Sequence, residues 1–201
     1  MARILLVRHG QSEWNAEGRW QGQADIPLSE LGRTQARAAA NALGTFDLIA
    51  ASPLLRAAET AEIIANALGM GPIIFVPLLV ERGAGEWSGL TRADIDEQWP
   101  GYLEARKYPP AYENDDDLWV RLEAGIAEVG TMVNSDDIAL VVAHGGLIYL
   151  LEERAGHKRG RISNVGGLWL DIAEDGSFTV GERVDLIDDD ELTSAQSADI
   201  L

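Results

Sequence analysis

Three histidines, His9, His144 and His157, and no cysteine stand among the 201 residues. Chemistry that needs a nucleophile or proton carrier near neutral pH therefore has few addresses in this chain. His9 lies in LLVRHGQSEWN, where an apolar run stops at Arg8 and the histidine follows at once. His144 closes a second run, IALVVA, and Arg56 comes a few residues after a third, DLIAAS, inside SPLLRAAET. If these runs are parallel strands, their carboxyl ends form one crevice and bring Arg8, His9, Arg56 and His144 together. Two guanidiniums and two imidazoles suit a compact anion, most naturally a phosphoryl group, and a neutral imidazole can attack phosphorus. Taken singly, each has a plainer use. His9 alone reads as a strand-end imidazole bonded to a carbonyl, Arg56 as a surface helix residue and Glu81 as a loop carboxylate. His157, inside HKRGR, reads as a solvated turn residue.

The elements that must position these groups follow a strand–helix rhythm. Arg3 to Arg8 is short, continuous and apolar, as a strand covered on both faces should be. Ser29 is placed to cap an Ala-rich helix running to Leu43, with Gly44 to end it. Then come a strand over Asp47 to Ser52, a helix over Leu54 to Leu68 closed by Gly69, and a third strand over Ile73 to Pro77. Between Leu78 and Asp117 the pattern weakens and Gly and Pro recur, which reads as an insertion over the sheet. A helix over Leu118 to Val133, the strand Ile138 to Ala143, a helix over Gly146 to Ala155 and strands near Leu168 to Ile172 and Phe178 to Val184 follow. The expected fold is α/β, a three-layer α/β/α arrangement around a mostly parallel central sheet with the insertion over the active-site end. Residues 1–185 form a single domain in this reading, and 186–201 an acidic, flexible tail.

Composition removes several classes of function. Sixteen Lys and Arg against 33 Asp and Glu give a net charge of −17, a field that repels nucleic acid and anionic membranes. No apolar run approaches the roughly 20 residues that span a bilayer, and no basic segment leads into an apolar one, so a cytoplasmic location is expected. Two histidines without a cluster of carboxylates make a poor zinc site, so neither metal nor cofactor is expected. The expected partner is a small phosphate ester, as the anion crevice suggests, and the alternating C-terminal strands offer an edge at which two copies could form a homodimer.

Four motifs occur in order: R-H-G-x-S-x-x-N at Arg8 to Asn15, S-P-L-x-R-A-x-x-T at Ser52 to Thr60, L-x-E-R at Leu79 to Arg82, and A-H-G-G at Ala143 to Gly146. Together they resemble the histidine phosphatase superfamily, with its phosphoglycerate mutase-like fold. The resemblance implies that His9 is the nucleophile and forms a phosphohistidine, its other ring nitrogen held by a main-chain carbonyl. It implies that Arg8, Arg56 and His144 surround the transferred group's equatorial oxygens. Glu81 becomes the acid that protonates the leaving group and then the base that activates water, with Glu86 a weaker rival. Asn15 adds a neutral donor, Gln21 and Gly22 a second wall, and Arg82 and Gly145 further substrate contacts. The insertion departs most from the family pattern. Glu113-Asn114-Asp115 stands where Gly-Glu-Ser is often found, and Trp87-Ser88-Gly89 where Trp-Glu-Gly is.

A metal-independent phosphomonoester hydrolase is the leading expectation. A cofactor-dependent phosphoglycerate mutase is the first alternative, because Arg106 and Lys107 in the insertion could meet a carboxylate. Only 62 residues, Arg82 to Ala143, separate Glu81 from His144, a short cover that favours water as acceptor. A non-catalytic phosphoryl sensor is the second alternative, although such a protein would be expected to lose the nucleophile or the acid, and both are present. The aromatic residues Trp99, Tyr102, Tyr108, Tyr112 and Trp119 are expected to pack the insertion onto the core rather than to stack on substrate.

Overall fold

A computed structural model describes residues 1–158 and 160–187. Its elements are β1 (Ala2–Arg8), α1 (Glu13–Ala16), α2 (Glu30–Ala42), β2 (Leu48–Ala51), α3 (Leu55–Leu68), β3 (Ile74–Phe75), α4 (Arg92–Gln98), α5 (Asp115–Gly130), β4 (Ile138–Ala143), α6 (Gly145–Arg154), β5 (Gly166–Ile172) and β6 (Phe178–Asp185). Two 3-10 turns, Pro77–Leu79 and Gly85–Trp87, interrupt the insertion. One six-stranded sheet runs in the order β3-β2-β4-β1-β5-β6. The first four strands of that order are mutually parallel, and β5 and β6 turn antiparallel at one side.

Successive side chains of a strand point to opposite faces, and both faces here are covered. Ile4 and Leu6 of β1 join Ala139 and Val141 of β4 under α5 and α6, where Leu122, Ile126, Leu147 and Leu151 meet them. Leu5 and Val7 join Leu140 and Val142 on the other face under α2 and α3, against Ala39, Ala57, Ala61 and Ile64. The small alanines let α2 and α3 approach the sheet closely. These two apolar layers fix the sheet between helices, so the carboxyl ends of β1, β2 and β4 open into a single crevice.

Caps set the helix limits. The Ser29 side chain accepts from Gly32 N at the start of α2, and Gly69 ends α3 in the left-handed conformation. Gly44 does not end α2, which stops at Ala42 with Leu43 already extended. The third strand is only Ile74–Phe75, because Pro77 opens a 3-10 turn instead of continuing the ladder. Helix α5 starts at Asp115, before Leu118, because Asn114 caps it by accepting from Asp116 N and Asp117 N. Three aspartates in that first turn complement the helix dipole. Capping boxes at Ser12/Asn15 and Thr91/Asp94 nucleate α1 and α4 inside stretches that the apolar pattern reads as loop. Among the described residues no helix is long and apolar enough to cross a membrane. Of the expected acidic tail, residues 188–201 lie outside the described residues.

Candidate active site

Strands β1 and β4 are neighbours in parallel register, with Arg8 opposite Ala143. The residues that follow are His9 and His144, and His9 N donates to Ala143 O at 3.0 Å. The two rings meet edge-on with centroids 5.3 Å apart. His9 Nδ1 lies 2.6 Å from Gly10 O. A carbonyl only accepts, so Nδ1 carries the proton and Nε2 keeps its lone pair. Arg56 Nε donates to that same Nε2 at 3.2 Å, which requires the same tautomer. Burial, then the charges of Arg56 and Arg8, hold the His9 pKa well below its usual value, so the ring is neutral at physiological pH.

Gly10 is needed where it stands. A Cβ there would come within 2.5 Å of Gly32 O, so the turn after β1 is pressed against the first turn of α2. Gly10 N donates to Thr60 Oγ1, and Thr60 in turn donates to Arg56 O. Arg56 is 1% exposed. Its Nη1 donates to Ala24 O and its Nη2 to Gly22 O, both at 2.8 Å. Burial lowers its pKa to about 10, which still leaves the guanidinium charged. Gly22 holds Arg56 through its carbonyl and adopts φ +52°, and a Cβ there would strike Ala84 at 2.7 Å.

Glu81 reaches the crevice from the insertion. Its Oε2 accepts from Gly146 N at 3.1 Å and its Oε1 from Arg82 N at 2.7 Å. Arg8 is fixed by donating to Ile162 O at 2.8 Å. His144 is 0% exposed and sits behind His9 rather than on the open wall. Its Nε2 lies 2.8 Å from Ser52 Oγ, while its Nδ1 is buried without a hydrogen-bond partner. Burial, Arg56 and His9 push its pKa well below the usual value too.

These groups line a cleft of about 750 Å³. Arg8, His9, Asn15, Gln21, Gly22, Arg56, Glu81, Arg82 and Gly145 all border it, and His144 does not. Asn15 Oδ1 accepts from Ser12 N, and Gln21 Oε1 accepts from Ser12 Oγ, so one serine ties two of the expected binding residues together. Glu86 is exposed and does not border the cleft. His157 is exposed as expected.

The aromatic residues of the insertion divide. Trp87 is fully buried and receives Trp20, Trp99, Tyr108 and Tyr112 around it. Tyr108 and Tyr112 stack with centroids 4.2 Å apart, and both border the cleft with Trp20. Tyr108 is 51% exposed, so this ring packs on Tyr112 and Trp87 and still leaves area open at the cleft. Trp119 instead pairs with Phe178 in a separate groove.

Several residues that hold the site escape a reading by residue type. Asn164 Nδ2 donates to His9 O at 3.1 Å. Its neighbour Val165 takes φ 51°, a backbone that a β-branched residue rarely adopts. Glu113 and Arg121 form a bidentate pair beneath Glu81. The spacing of that pair, eight residues across a helix start, is the one signal the sequence carries for it.

A neutral, tautomer-fixed imidazole flanked by two anchored guanidiniums and a gripped carboxylate, at the carboxyl edge of a parallel sheet, defines a phosphoryl-transfer centre of the histidine type. The profile of the histidine phosphatase superfamily (branch 1) matches residues 4–165. The chain belongs to that superfamily. It is 39% identical over 164 residues to a protein of Mycobacterium tuberculosis called glucosyl-3-phosphoglycerate phosphatase, covering 74% of this chain and 73% of that one. It is 36% identical over 153 residues to the Bacillus subtilis phosphatase PhoE, covering 75% and 76%. The solved structure of the mycobacterial glucosyl-3-phosphoglycerate phosphatase with VO3 superposes with a TM-score of 0.77 at 32% identity, covering 89% of this chain and 96% of that chain.

Proposed function

We propose that the chain is a phosphomonoester hydrolase that acts on a small phosphorylated metabolite through a phosphohistidine, in the cytoplasm and without metal or cofactor. The observation that carries this reading is His9 Nε2, kept unprotonated by the bond from Nδ1 to Gly10 O and oriented by the N–H of Arg56 Nε. Nε2 attacks phosphorus and the P–N bond forms as the ester P–O bond breaks. Glu81 gives its proton to the departing alkoxide oxygen. Water then attacks the phosphohistidine, Glu81 takes the water's proton, the P–N bond breaks and its electron pair returns to Nε2. Arg8 and Arg56 neutralise charge on the equatorial oxygens, while His144, which does not border the cleft, backs the His9 ring edge-on. Asn15, Gln21, Gly22, Arg82 and Gly145 shape the remaining contacts. The relatives that carry phosphatase names support hydrolysis of a small phosphate ester, and the cleft has room for a leaving group well beyond the phosphoryl group itself.

The test is turnover of a panel of sugar phosphates, phosphoglycerates and aryl phosphates in EDTA, by the wild type and by His9→Ala. Phosphate release by the wild type, an acid-labile and alkali-stable phosphoenzyme, and loss of both in His9→Ala are expected. Undiminished turnover in His9→Ala refutes the covalent route. Isomerisation of 3-phosphoglycerate outrunning phosphate release replaces hydrolase by mutase, and no turnover on any ester replaces it by a phosphoryl sensor.

A further inference from the structure

Glu81 stands on a segment with no regular secondary structure, between the 3-10 turns Pro77–Leu79 and Gly85–Trp87. A residue so placed needs its backbone fixed from outside. Arg121, on the second turn of α5, supplies that. Its Nη1 donates to Leu78 O at 2.8 Å and to Val80 O at 2.6 Å, and its Nη2 donates to Glu81 O at 2.9 Å. The other two N–H groups go to Glu113: Nε to Oε1 at 2.7 Å and Nη2 to Oε2 at 2.8 Å. All five donors of the guanidinium are used. Glu113 in turn accepts from Gly83 N at 2.8 Å, and its own carbonyl accepts from Arg82 Nη1. Arg121 therefore grips the acid-bearing segment up to Glu81, and Glu113 grips it beyond, at Gly83. Both side chains of the pair are 17% exposed, which screens the charges less than open solvent would. Burial of Glu113 is outweighed by these donors, and its carboxyl pKa lies below the usual value. The helix itself is pressed onto the segment, since a Cβ on Gly125 would lie 2.7 Å from Leu79 Cδ2.

We propose that Arg121 is a positioning residue for catalysis: its guanidinium, neutralised by Glu113, clamps the carbonyls of Leu78, Val80 and Glu81 and so sets where the Glu81 carboxyl meets the leaving group. The proposal rests on the reading of Glu81 as the acid. It predicts a defect that depends on the leaving group. A misplaced acid hurts an alkyl ester, whose alkoxide needs its proton, far more than a nitrophenyl ester, whose phenolate does not.

The test compares wild type, Arg121→Gln, Glu81→Gln and the double variant on glycerol 2-phosphate and 4-nitrophenyl phosphate, with inorganic phosphate as inhibitor. An acid displaced by about 1 Å costs on the order of 100-fold. Arg121→Gln is therefore expected to lower kcat on the alkyl ester by about 10- to 100-fold, to leave the aryl ester nearly unchanged and to keep phosphate inhibition at its wild-type strength. In the Glu81→Gln background it is expected to add nothing to the alkyl-to-aryl ratio. Equal losses on both esters in Arg121→Gln, with Glu81→Gln selective, overturn the proposal and leave the acid in place. Equal losses in Glu81→Gln itself overturn the acid and this proposal with it. Should Arg121→Gln fail to fold, Arg121→Lys decides. An ammonium keeps the charge but cannot fork over three carbonyls and a carboxylate, so the same selectivity is expected, and full alkyl activity in that variant refutes the clamp.

Discussion

Gly146→Ala probes how tightly the carboxyl of Glu81 is held. Gly146 is the second residue of α6, and its N–H donates to Glu81 Oε2. A Cβ built there would stand 3.0 Å from Glu81 Cδ, 3.3 Å from Oε2 and closer still to Oε1. Ordinary contact is restored only if the carboxylate withdraws by about 1 Å, which also breaks the bond to Gly146 N. The alternative, moving α6, is blocked by Leu147, Ile148 and Leu151, which are wholly buried in the core. The acid therefore moves and the helix stays. A shift of about 1 Å in a catalytic group costs on the order of 100-fold in rate, whereas Gly to Ala within a helix favours folding by up to about 1 kcal/mol. The expected variant melts no lower than the wild type, binds inorganic phosphate as well, and turns over alkyl phosphates about 100-fold more slowly with a smaller loss on aryl phosphates. Calorimetry and steady-state kinetics on the two ester classes measure all three. Wild-type turnover of the alkyl ester refutes the contact argument, and a lowered melting temperature with equal losses on both esters shows that the helix moved instead.

Arg56→Lys removes a fork that reaches His9 Nε2, Ala24 O and Gly22 O together. An ammonium cannot replace it, so kcat is expected to fall by about 100-fold or more, and near-normal turnover would show that charge alone suffices. Burial holds His9 and His144 neutral with pKa values well below 6.5, so below about pH 6.5 the unfolded chain takes up protons before the folded one and stability falls as pH drops. Each imidazole contributes a slope of up to about 1.4 kcal/mol per pH unit. Chemical denaturation from pH 7.5 to 5 should show a steeper decline for wild type than for His9→Asn, and identical slopes would count against the buried neutral state. Tyr108→Ala strips the exposed ring from the Tyr112 stack. The expected result is a several-fold higher KM for esters with a ring in the leaving group and unchanged inhibition by phosphate, and a uniform loss across esters would assign the ring to packing.

The inner half of the site was legible because its residues mark the ends of the most readable elements. Arg3 to Arg8 and Ile138 to Ala143 are unbroken apolar runs, and parallel pairing in register forces His9 and His144 together once those runs are adjacent. The carbonyl partner of His9 Nδ1 came only through the family resemblance, and the structure supplies it as Gly10 O. Elements built on polar caps were not legible from apolar spacing. Helices α1 and α4 have one buried residue between them, Ile95, and their signals are the capping pairs Ser12/Asn15 and Thr91/Asp94. The insertion hid its function for a related reason. Trp87, Tyr108, Tyr112 and Trp119 are similar in type, and only the three-dimensional path separates a buried hub from a cleft-facing ring and from a remote groove.

The charge pattern explains why an acidic chain can hold an anion. Most described arginines away from the strand ends are matched by carboxylates, including Arg19 and Arg82 on the cleft's rim: Arg3 with Asp171, Arg19 with Glu17, Arg33 with Glu30 and Glu59, Arg82 with Asp115, Arg154 with Asp116. Arg56 differs, because its guanidinium donates to the neutral acceptors Ala24 O, Gly22 O and His9 Nε2. Carbonyls orient a guanidinium without cancelling its charge, so the positive field at the strand ends remains for an incoming phosphoryl group. Arg121 sits between these cases: Glu113 cancels its charge while three carbonyls use its geometry. Removing Glu113 should therefore leave a net cation beneath Glu81, the residue proposed to give up and regain a proton in each turnover.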